Sequence, residues 1–146
     1  SEINFYDHGV QLTRRFRALK LYMSIKSYGL KSFREAVSYS IDLTENIEKN
    51  IRESSNWEIV SPATLAVINF RYNPLNKNFT EKQLDVLNQE ISKQVIDSKE
   101  ALLVTTILNK QVVLRMCLIN PRTTIDDVKT TLKKCTKIAL SITNKK

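Results

Sequence analysis

The first third of the chain repeats apolar residues at intervals of three and four, the spacing that places side chains on one face of a helix. In the segment 12–28 the repeating residues are Leu12, Phe16, Leu19 and Met23. The same segment holds four cations within seven positions, Arg14, Arg15, Arg17 and Lys20. Gly29 follows, and glycine readily adopts the left-handed conformation that often ends a helix. The pattern predicts a helix over 12–28 with one buried face and one basic face.

A second amphipathic segment begins just after Gly29. Ser32 and Glu35 have the spacing of a capping box, in which a hydroxyl and a carboxylate satisfy free backbone N–H groups at a helix start. From there to about Glu53, helical spacing recurs at Phe33, Val37, Ile41, Thr44, Ile47 and Ile51. We therefore predict a second helix, joined to the first at Gly29 as a helical hairpin.

The next part of the chain changes to strand patterns. Residues 57–60 predict a short strand that ends at Pro62, and residues 65–72 predict a longer and mostly apolar one. A polar turn over 73–78 follows, rich in asparagine. Two more strands, 102–108 and 112–119, have the spacing of a hairpin.

Two further helices are marked by capping boxes. Thr80 with Gln83, and Thr124 with Asp127, have the required separation. The complete predicted order is α-α-β-β-α-β-β-α, which indicates an α+β fold with an antiparallel sheet and helices mainly on one face. Residues 1–11 lack periodicity and are predicted to be an arm or linker, with His8 exposed in it.

Composition narrows the possible functions. The chain has 146 residues, enough for a real core, and 42% of them are hydrophobic. No apolar run approaches the length of a membrane span, so no membrane partner is expected. The net charge is +8, but the basic residues are scattered and accompany no nucleic-acid-binding motif, so no nucleic-acid partner is expected. Cys117 and Cys135 lack metal-ligand spacing and are predicted to be reduced core thiols of an intracellular protein.

Arg115 is the residue whose position suggests chemistry. One face of its predicted strand is apolar throughout, and the other holds Val113, Arg115, Cys117 and Ile119. This second face needs a covering partner or an anionic group, because helices are expected on only one side of the sheet. The planar guanidinium suits a carboxylate. That carboxylate is either an Asp or Glu of this chain or belongs to a ligand, and the pattern alone leaves both open.

Three segments of the chain resemble one known family in order and spacing. They read LTRRFRALKLY at 12–22, LAVINFR at 65–71 and VLRMCLINPRTT at 113–124. Together they resemble the C-terminal small domain of group II pyridoxal-phosphate-dependent amino-acid decarboxylases, which include the aromatic-amino-acid, histidine and glutamate decarboxylases. The resemblance covers nearly the whole chain. It implies the small-domain fold of fold-type I pyridoxal-phosphate enzymes over 12–146, in a cytoplasmic homodimer.

The resemblance also implies roles for three residues. In the related glutamate decarboxylases, the arginine matching Arg115 is implicated in binding the substrate carboxylate. In the aromatic and histidine branch, the small residue matching Thr13 lines the substrate pocket, where Gly or Ser is usual. There the Leu12–Thr13 turn reaches the cofactor site of the partner subunit. Threonine departs from both usual residues, which leaves the amino-acid substrate open.

One feature of the family is missing from this sequence. The family binds its cofactor on a lysine that directly follows a histidine, whereas His8 is the only histidine here and Gly9 follows it. We therefore expect a C-terminal part that is inactive alone, holds no catalytic residue and closes over a site on a separate large domain. Two alternatives are a non-catalytic α+β interaction module and a carbonyl-forming synthase of the same family.

Overall fold

A computed structural model describes residues 3–10 and 15–144. A short 3-10 helix, Phe5–His8, precedes seven longer elements. These are α1 (Ala18–Arg52), β1 (Trp57–Thr64), β2 (Val67–Tyr72), α2 (Glu81–Asp97), β3 (Val104–Leu108), β4 (Gln111–Cys117) and α3 (Ile125–Thr143). The predicted α+β class is confirmed, with one helix fewer in the order. The chain divides into two compact units, one ending at Glu35 and one beginning at Ala36.

In the first unit, Gly29 interrupts α1 as predicted. Its backbone has φ 80° and ψ 151°, which lies outside the helical region. Glycine reaches this positive φ without the steric cost that a Cβ would bring. The capping box predicted at Ser32 is wrong, because the Ser32 hydroxyl donates to the Tyr28 carbonyl at 2.8 Å. This is the back-bonding that serine often makes inside a helix.

The second unit contains a four-stranded antiparallel sheet in the order β1-β2-β4-β3. The strand β1 continues through Pro62, where the sequence predicted its end. An edge strand tolerates proline because one of its sides needs no ladder hydrogen bond. The pairing of β1 with β2 also shifts register on both sides of Ser61. The strand β2 begins two residues later than predicted, because Leu65 and Ala66 have positive φ and form the turn.

A single apolar core lies between one face of the sheet and the helices. The sheet contributes alternate positions of β2 and β4, and the helices α1, α2 and α3 all contribute to the same cluster. The core side chains of the sheet include Ile68, Phe70, Tyr72, Leu114 and Met116. The prediction that the helices pack mainly on one face of the sheet is therefore confirmed. We call the opposite face of β2 and β4, which holds Asn69, Arg71, Val113, Arg115 and Cys117, the outer face.

The N-terminal ends of α2 and α3 form as the sequence predicts. Both predicted capping boxes form, with Thr80 and Thr124 as the capping residues. The β3–β4 hairpin also forms, and its turn is two residues long, with Asn109 and Lys110 both at positive φ. Positive φ at both central positions is the conformation that a tight hairpin turn requires.

The two cysteines differ in their surroundings. Both are free thiols, and Cys135 is fully buried, where desolvation raises its pKa to about 12. The prediction that Cys117 belongs to the core is wrong, because its side of β4 is the outer face and the residue is exposed.

Within the described residues, no helix combines the length and the apolar composition that crossing a membrane requires.

Candidate functional site

Arg115 lies on the outer face near the middle of the sheet. Its cross-strand partners are Asn69 on β2 and Val104 on β3. Its neighbours Leu114 and Met116 point into the core on the other side. Arg115 is exposed, and within residues 3–10 and 15–144 its guanidinium makes no ion pair and no hydrogen bond. The first of the two carboxylate alternatives, a partner within this chain, is therefore absent from the described part.

The exposed part of the outer face is smaller than the sequence indicated. Cys117 and Ile119 are exposed as expected, and Ile119 keeps 73% of its surface open. Val113 is fully buried. The prediction that the whole Val113–Ile119 face needs a covering partner is thus wrong for Val113. For Arg115, Cys117 and Ile119, which are exposed, it stays a prediction.

A second arginine on the outer face has a different environment. The Arg71 guanidinium is fully buried, and it donates from Nη1 to Glu81 Oε2 at 2.8 Å and from Nη2 to Asp85 Oδ1 at 3.4 Å. This donation lowers the pKa of Glu81 below its ordinary value. Asp85 Oδ1 also accepts from the Val112 backbone N–H at 2.8 Å. The cluster therefore joins the start of α2 to the end of β2 and the start of β4.

Sequence reasoning quoted Arg71 only as part of a motif and missed this role. The signal available was a pair of carboxylates, Glu81 and Asp85, four residues apart at the start of a predicted helix. Residues at that spacing share one helix face. Asn88, one turn further on, accepts from the Tyr72 backbone N–H at 2.7 Å and donates to the Tyr72 carbonyl at 3.1 Å. One face of α2 is thus devoted to binding the sheet.

Two polar atoms of the outer face are buried and lack a partner in the described part of the chain. They are Oδ1 of Asn69 and Nε of Arg71. Asn69 keeps only 7% of its surface exposed, although it lies opposite the core. Buried polar atoms are normally hydrogen-bonded, so these two atoms are exceptions on this face.

The other predicted site residues, Leu12 and Thr13, lie outside the described residues. The nearby helix can be described from Ala18 onward. The apolar face predicted there to be buried is exposed, with 73% of Phe16, 45% of Leu19 and 57% of Met23 open. The predicted burial of this face is therefore wrong, because the residues of its own unit leave these side chains open.

An open groove of about 590 Å³ lies beside the end of β4 and the start of α3. Its apolar wall includes Leu103, Met116 and Leu118. Its polar side includes Lys134, which forms a salt bridge with Glu100. Cys117 also lines the groove, so the groove and the outer face meet at the end of β4.

Comparison with known proteins gives concordant matches. Residues 2–73 match the model of the pyridoxal-dependent decarboxylase conserved domain. The chain is 38% identical over 138 residues to an aromatic-L-amino-acid decarboxylase of Bacillus atrophaeus, covering 94% of this chain and 28% of that protein. It is 31% identical over 127 residues to a phenylacetaldehyde synthase of Arabidopsis thaliana, covering 87% of this chain and 26% of that protein.

Solved structures share the fold. The crystal structure of Oryza sativa TDC with PLP and tryptamine superposes with a TM-score of 0.84 at 23% identity, covering 95% of this chain and 30% of that one. Mouse CSAD superposes with a TM-score of 0.83 at 17% identity, covering 93% of this chain and 30% of that one. The fold is thus an α+β domain that also occurs within longer chains.

The sequence matches are more specific than the fold. The chain belongs to the pyridoxal-dependent decarboxylase family. It spans between a quarter and a third of the length of the relatives named above.

Proposed function

We propose that residues 12–146 are the C-terminal small domain of a pyridoxal-phosphate-dependent amino-acid carboxy-lyase, with residues 1–11 as an arm or linker. The complete enzyme is a cytoplasmic homodimer in which a separate large domain holds the cofactor. The observation that carries the proposal is that Arg115 is exposed and has no partner among the described residues. Arg115 lies in a segment that resembles the one where the family has its substrate-carboxylate arginine. The 38% identity to the Bacillus atrophaeus decarboxylase over 94% of the chain supports it.

The role of Arg115 in this proposal is to bind the substrate carboxylate. A guanidinium offers five N–H donors in a rigid plane, and two of them match the two oxygens of a carboxylate. Among the described residues these donors are unused and face away from the core. When a large domain covers the outer face, water leaves, and the substrate anion then compensates the charge of the guanidinium.

The cofactor is proposed to be pyridoxal phosphate bound outside this chain. Pyridoxal phosphate supplies the electron sink for loss of a carboxyl group from an amino acid. This sequence contains no His-Lys pair, so its own residues do not fit the family's usual anchor for the cofactor. Leu12 and Thr13 are proposed to approach the cofactor and substrate from the partner subunit, and Thr13 to line the pocket.

Two further elements of the proposal concern the assembly of the protein and its location. Dimer formation is supported by the exposed apolar residues Phe16, Leu21 and Met23, which would be covered in an interface. A cytoplasmic location is supported by two unpaired cysteines, because oxidising compartments favour disulfides.

The test uses the complete protein and a panel of amino acids, including L-tyrosine, L-tryptophan and L-glutamate. We expect carbon dioxide release with one of them. For that substrate, Arg115→Lys should raise KM by about 5- to 150-fold, which corresponds to about 1–3 kcal/mol for a lost charge-assisted hydrogen bond, with little change in Tm. Arg34→Lys, at an exposed position of α1, is the matched control. An unaltered KM together with a lower Tm would make Arg115 structural.

One relative supports a second candidate function. The Arabidopsis thaliana phenylacetaldehyde synthase is 31% identical to this chain, so a carbonyl-forming synthase remains the alternative within the family. Chromatography of the reaction products separates the two, because a decarboxylase releases an amine and a synthase releases an aldehyde. A complete protein that neither binds pyridoxal phosphate nor consumes any amino acid would instead indicate a non-catalytic interaction module.

A further inference from the structure

Asn69 is the cross-strand neighbour of Arg115 on the outer face. The two residues are paired in the antiparallel ladder between β2 and β4. Directly opposed residues in such a ladder have Cβ atoms about 4.5–5.5 Å apart, and their side chains lie on the same side of the sheet. The amide of Asn69 is therefore within reach of a long side chain at position 115.

The hydrogen-bonding needs of these two side chains are complementary. Asn69 Oδ1 is buried and has no donor in the described part of the chain. The Arg115 guanidinium has only donors, and no described residue accepts from them. An unsatisfied buried acceptor is costly. The sheet register places the donors of Arg115 on the strand directly beside Asn69.

The neighbour of Asn69 on its other side lies in a less regular ladder. There it pairs with Ser61 of β1, and the β1–β2 register shifts both before and after that residue. Bulged ladders bend the strand and redirect side chains, and they occur frequently next to functional sites. The regular ladder on the β4 side makes Arg115 the neighbour in a fixed position.

We propose that Asn69 is a positioning residue for Arg115. Its Oδ1 accepts a hydrogen bond from one N–H of the guanidinium. This hydrogen bond fixes the orientation of the guanidinium plane and leaves the other N–H donors free for a carboxylate. Arginine side chains have many rotamers, and restricting them before binding improves affinity. A neutral amide does this without neutralising the charge that the ligand needs. The inference rests on the carboxylate-binding role proposed for Arg115.

Two ligands that differ only in the carboxylate and the amine provide the test in the complete enzyme. The probes are 3-phenylpropanoate, which has the carboxylate alone, and 2-phenylethylamine, which lacks it. We expect Asn69→Ala to raise the Kd of 3-phenylpropanoate by about 3- to 10-fold, the scale of one hydrogen bond. The Kd of 2-phenylethylamine should stay within about twofold. If the alanine variant does not fold, Asn69→Val introduces a good strand former and also removes the acceptor.

A double-variant comparison separates positioning from structural support. In an Arg115→Ala background, Asn69→Ala should leave the Kd of 3-phenylpropanoate unaltered, because the residue acts through the guanidinium. Asn73→Ala, which removes another asparagine just after β2, is the matched control and should not change either Kd. An equal loss of carboxylate affinity with and without Arg115 would overturn the inference.

The remaining outcomes distinguish the inference from the proposed function. If Arg115→Ala weakens 3-phenylpropanoate binding and Asn69→Ala does not, the carboxylate site stands and the positioning role is wrong. If Arg115→Ala has no effect, or the wild-type enzyme binds neither probe, the proposed carboxylate site is wrong and the positioning role is wrong with it.

Discussion

Two arginines on one face of the sheet have opposite environments, and the difference comes from a helix. Arg71 is enclosed by Glu81 and Asp85 of α2, whereas Arg115 lies further along the sheet from that helix start and stays exposed. Burying a guanidinium is unfavourable unless anions and acceptors compensate for the lost water. Arg71 therefore holds α2 against the sheet, whereas the guanidinium of Arg115 stays available to bind an anion.

Asp85 is the residue through which this difference can be measured. It accepts from both Arg71 and the Val112 backbone, and 27% of its side chain is exposed. We expect Asp85→Ala to lower the free energy of unfolding by about 1–3 kcal/mol, because a buried guanidinium and a backbone N–H each lose an acceptor. Urea unfolding of the isolated chain measures it.

The control for Asp85 is Asp42→Ala. Asp42 is exposed on α1 and makes no hydrogen bond within the described residues, so its replacement should change stability by no more than about 0.5 kcal/mol. If Asp85→Ala costs no more than this control, the cluster around Arg71 does not hold the fold together.

At the residue scale, the sequence predicted the features of a side chain that depend on residues close to it along the chain. Alternation along one strand was enough to place Arg115 opposite the core. It could not reveal the environment of Arg71, because the carboxylates that bind this arginine are ten and fourteen residues away and meet it only after α2 packs on the sheet. Leu12 and Thr13 lie outside the described residues, and their roles stay predictions.

Among the elements, α1 and β1 are tied together by Glu48. Its Oε2 accepts from the Ala63 backbone N–H at 2.6 Å, and its Oε1 accepts from Arg52 Nε at 2.7 Å. The hydrogen bond from Ala63, reinforced by Arg52, lowers the pKa of Glu48 below its ordinary value of 4.5. The carboxylate form is therefore stabilised in the folded chain more than in the unfolded one.

This shift gives the stability a defined pH dependence. A group whose pKa is lowered by folding contributes fully above its unfolded pKa, here about 4.5, and the contribution is lost as the pH falls through the folded pKa. We expect Glu48→Gln to cost about 1–2 kcal/mol at pH 7, and the difference from wild type to vanish in acid. Unfolding curves from pH 7 to pH 3 measure both.

Glu45→Gln is the control for this experiment, since Glu45 is exposed on the same helix and makes no hydrogen bond within the described residues. A Glu48→Gln curve that runs parallel to that of wild type at every pH would contradict the role of the carboxylate.

Element boundaries show where local patterns suffice. The caps at Thr80 and Thr124 were predicted because a capping box is complete within four residues. The end of β1 was predicted wrongly at Pro62, because the sequence does not tell whether a strand lies at the edge of a sheet. Ser32 has the spacing of a cap yet lies within α1, since a spacing pattern does not require a helix to start there.

At the scale of the whole molecule, the chain buries an apolar core but leaves apolar side chains exposed on parts of its surface. Trp57 is partly buried against this core, and its ring meets those of Phe70 and Tyr72 edge to face at centroid distances of 5.4 and 5.0 Å. Val104 on β3, Ile119 after β4 and the first half of α1 leave apolar side chains exposed. A domain of a larger enzyme would have surfaces of this kind.

The isolated chain should consequently fold without acquiring the enzyme's cofactor. We expect it to retain no stoichiometric pyridoxal phosphate after gel filtration, because the sequence lacks the family's His-Lys pair. Absorbance of the eluted protein and the mass of the borohydride-reduced chain measure retention. The complete protein, treated identically, is the positive control. One pyridoxyl group on a single lysine of the isolated chain would contradict the assignment of the cofactor to a separate domain.

The two edges of the sheet differ in a way that limits how isolated chains can assemble. Along β1, Pro62 and the two register shifts remove the regular row of donors and acceptors that an added strand needs. The strand β3 has neither device. A sheet that can grow from one side only joins a second copy edge to edge and then stops. Strand addition at β3 would therefore end at a closed pair and would not propagate into a fibre.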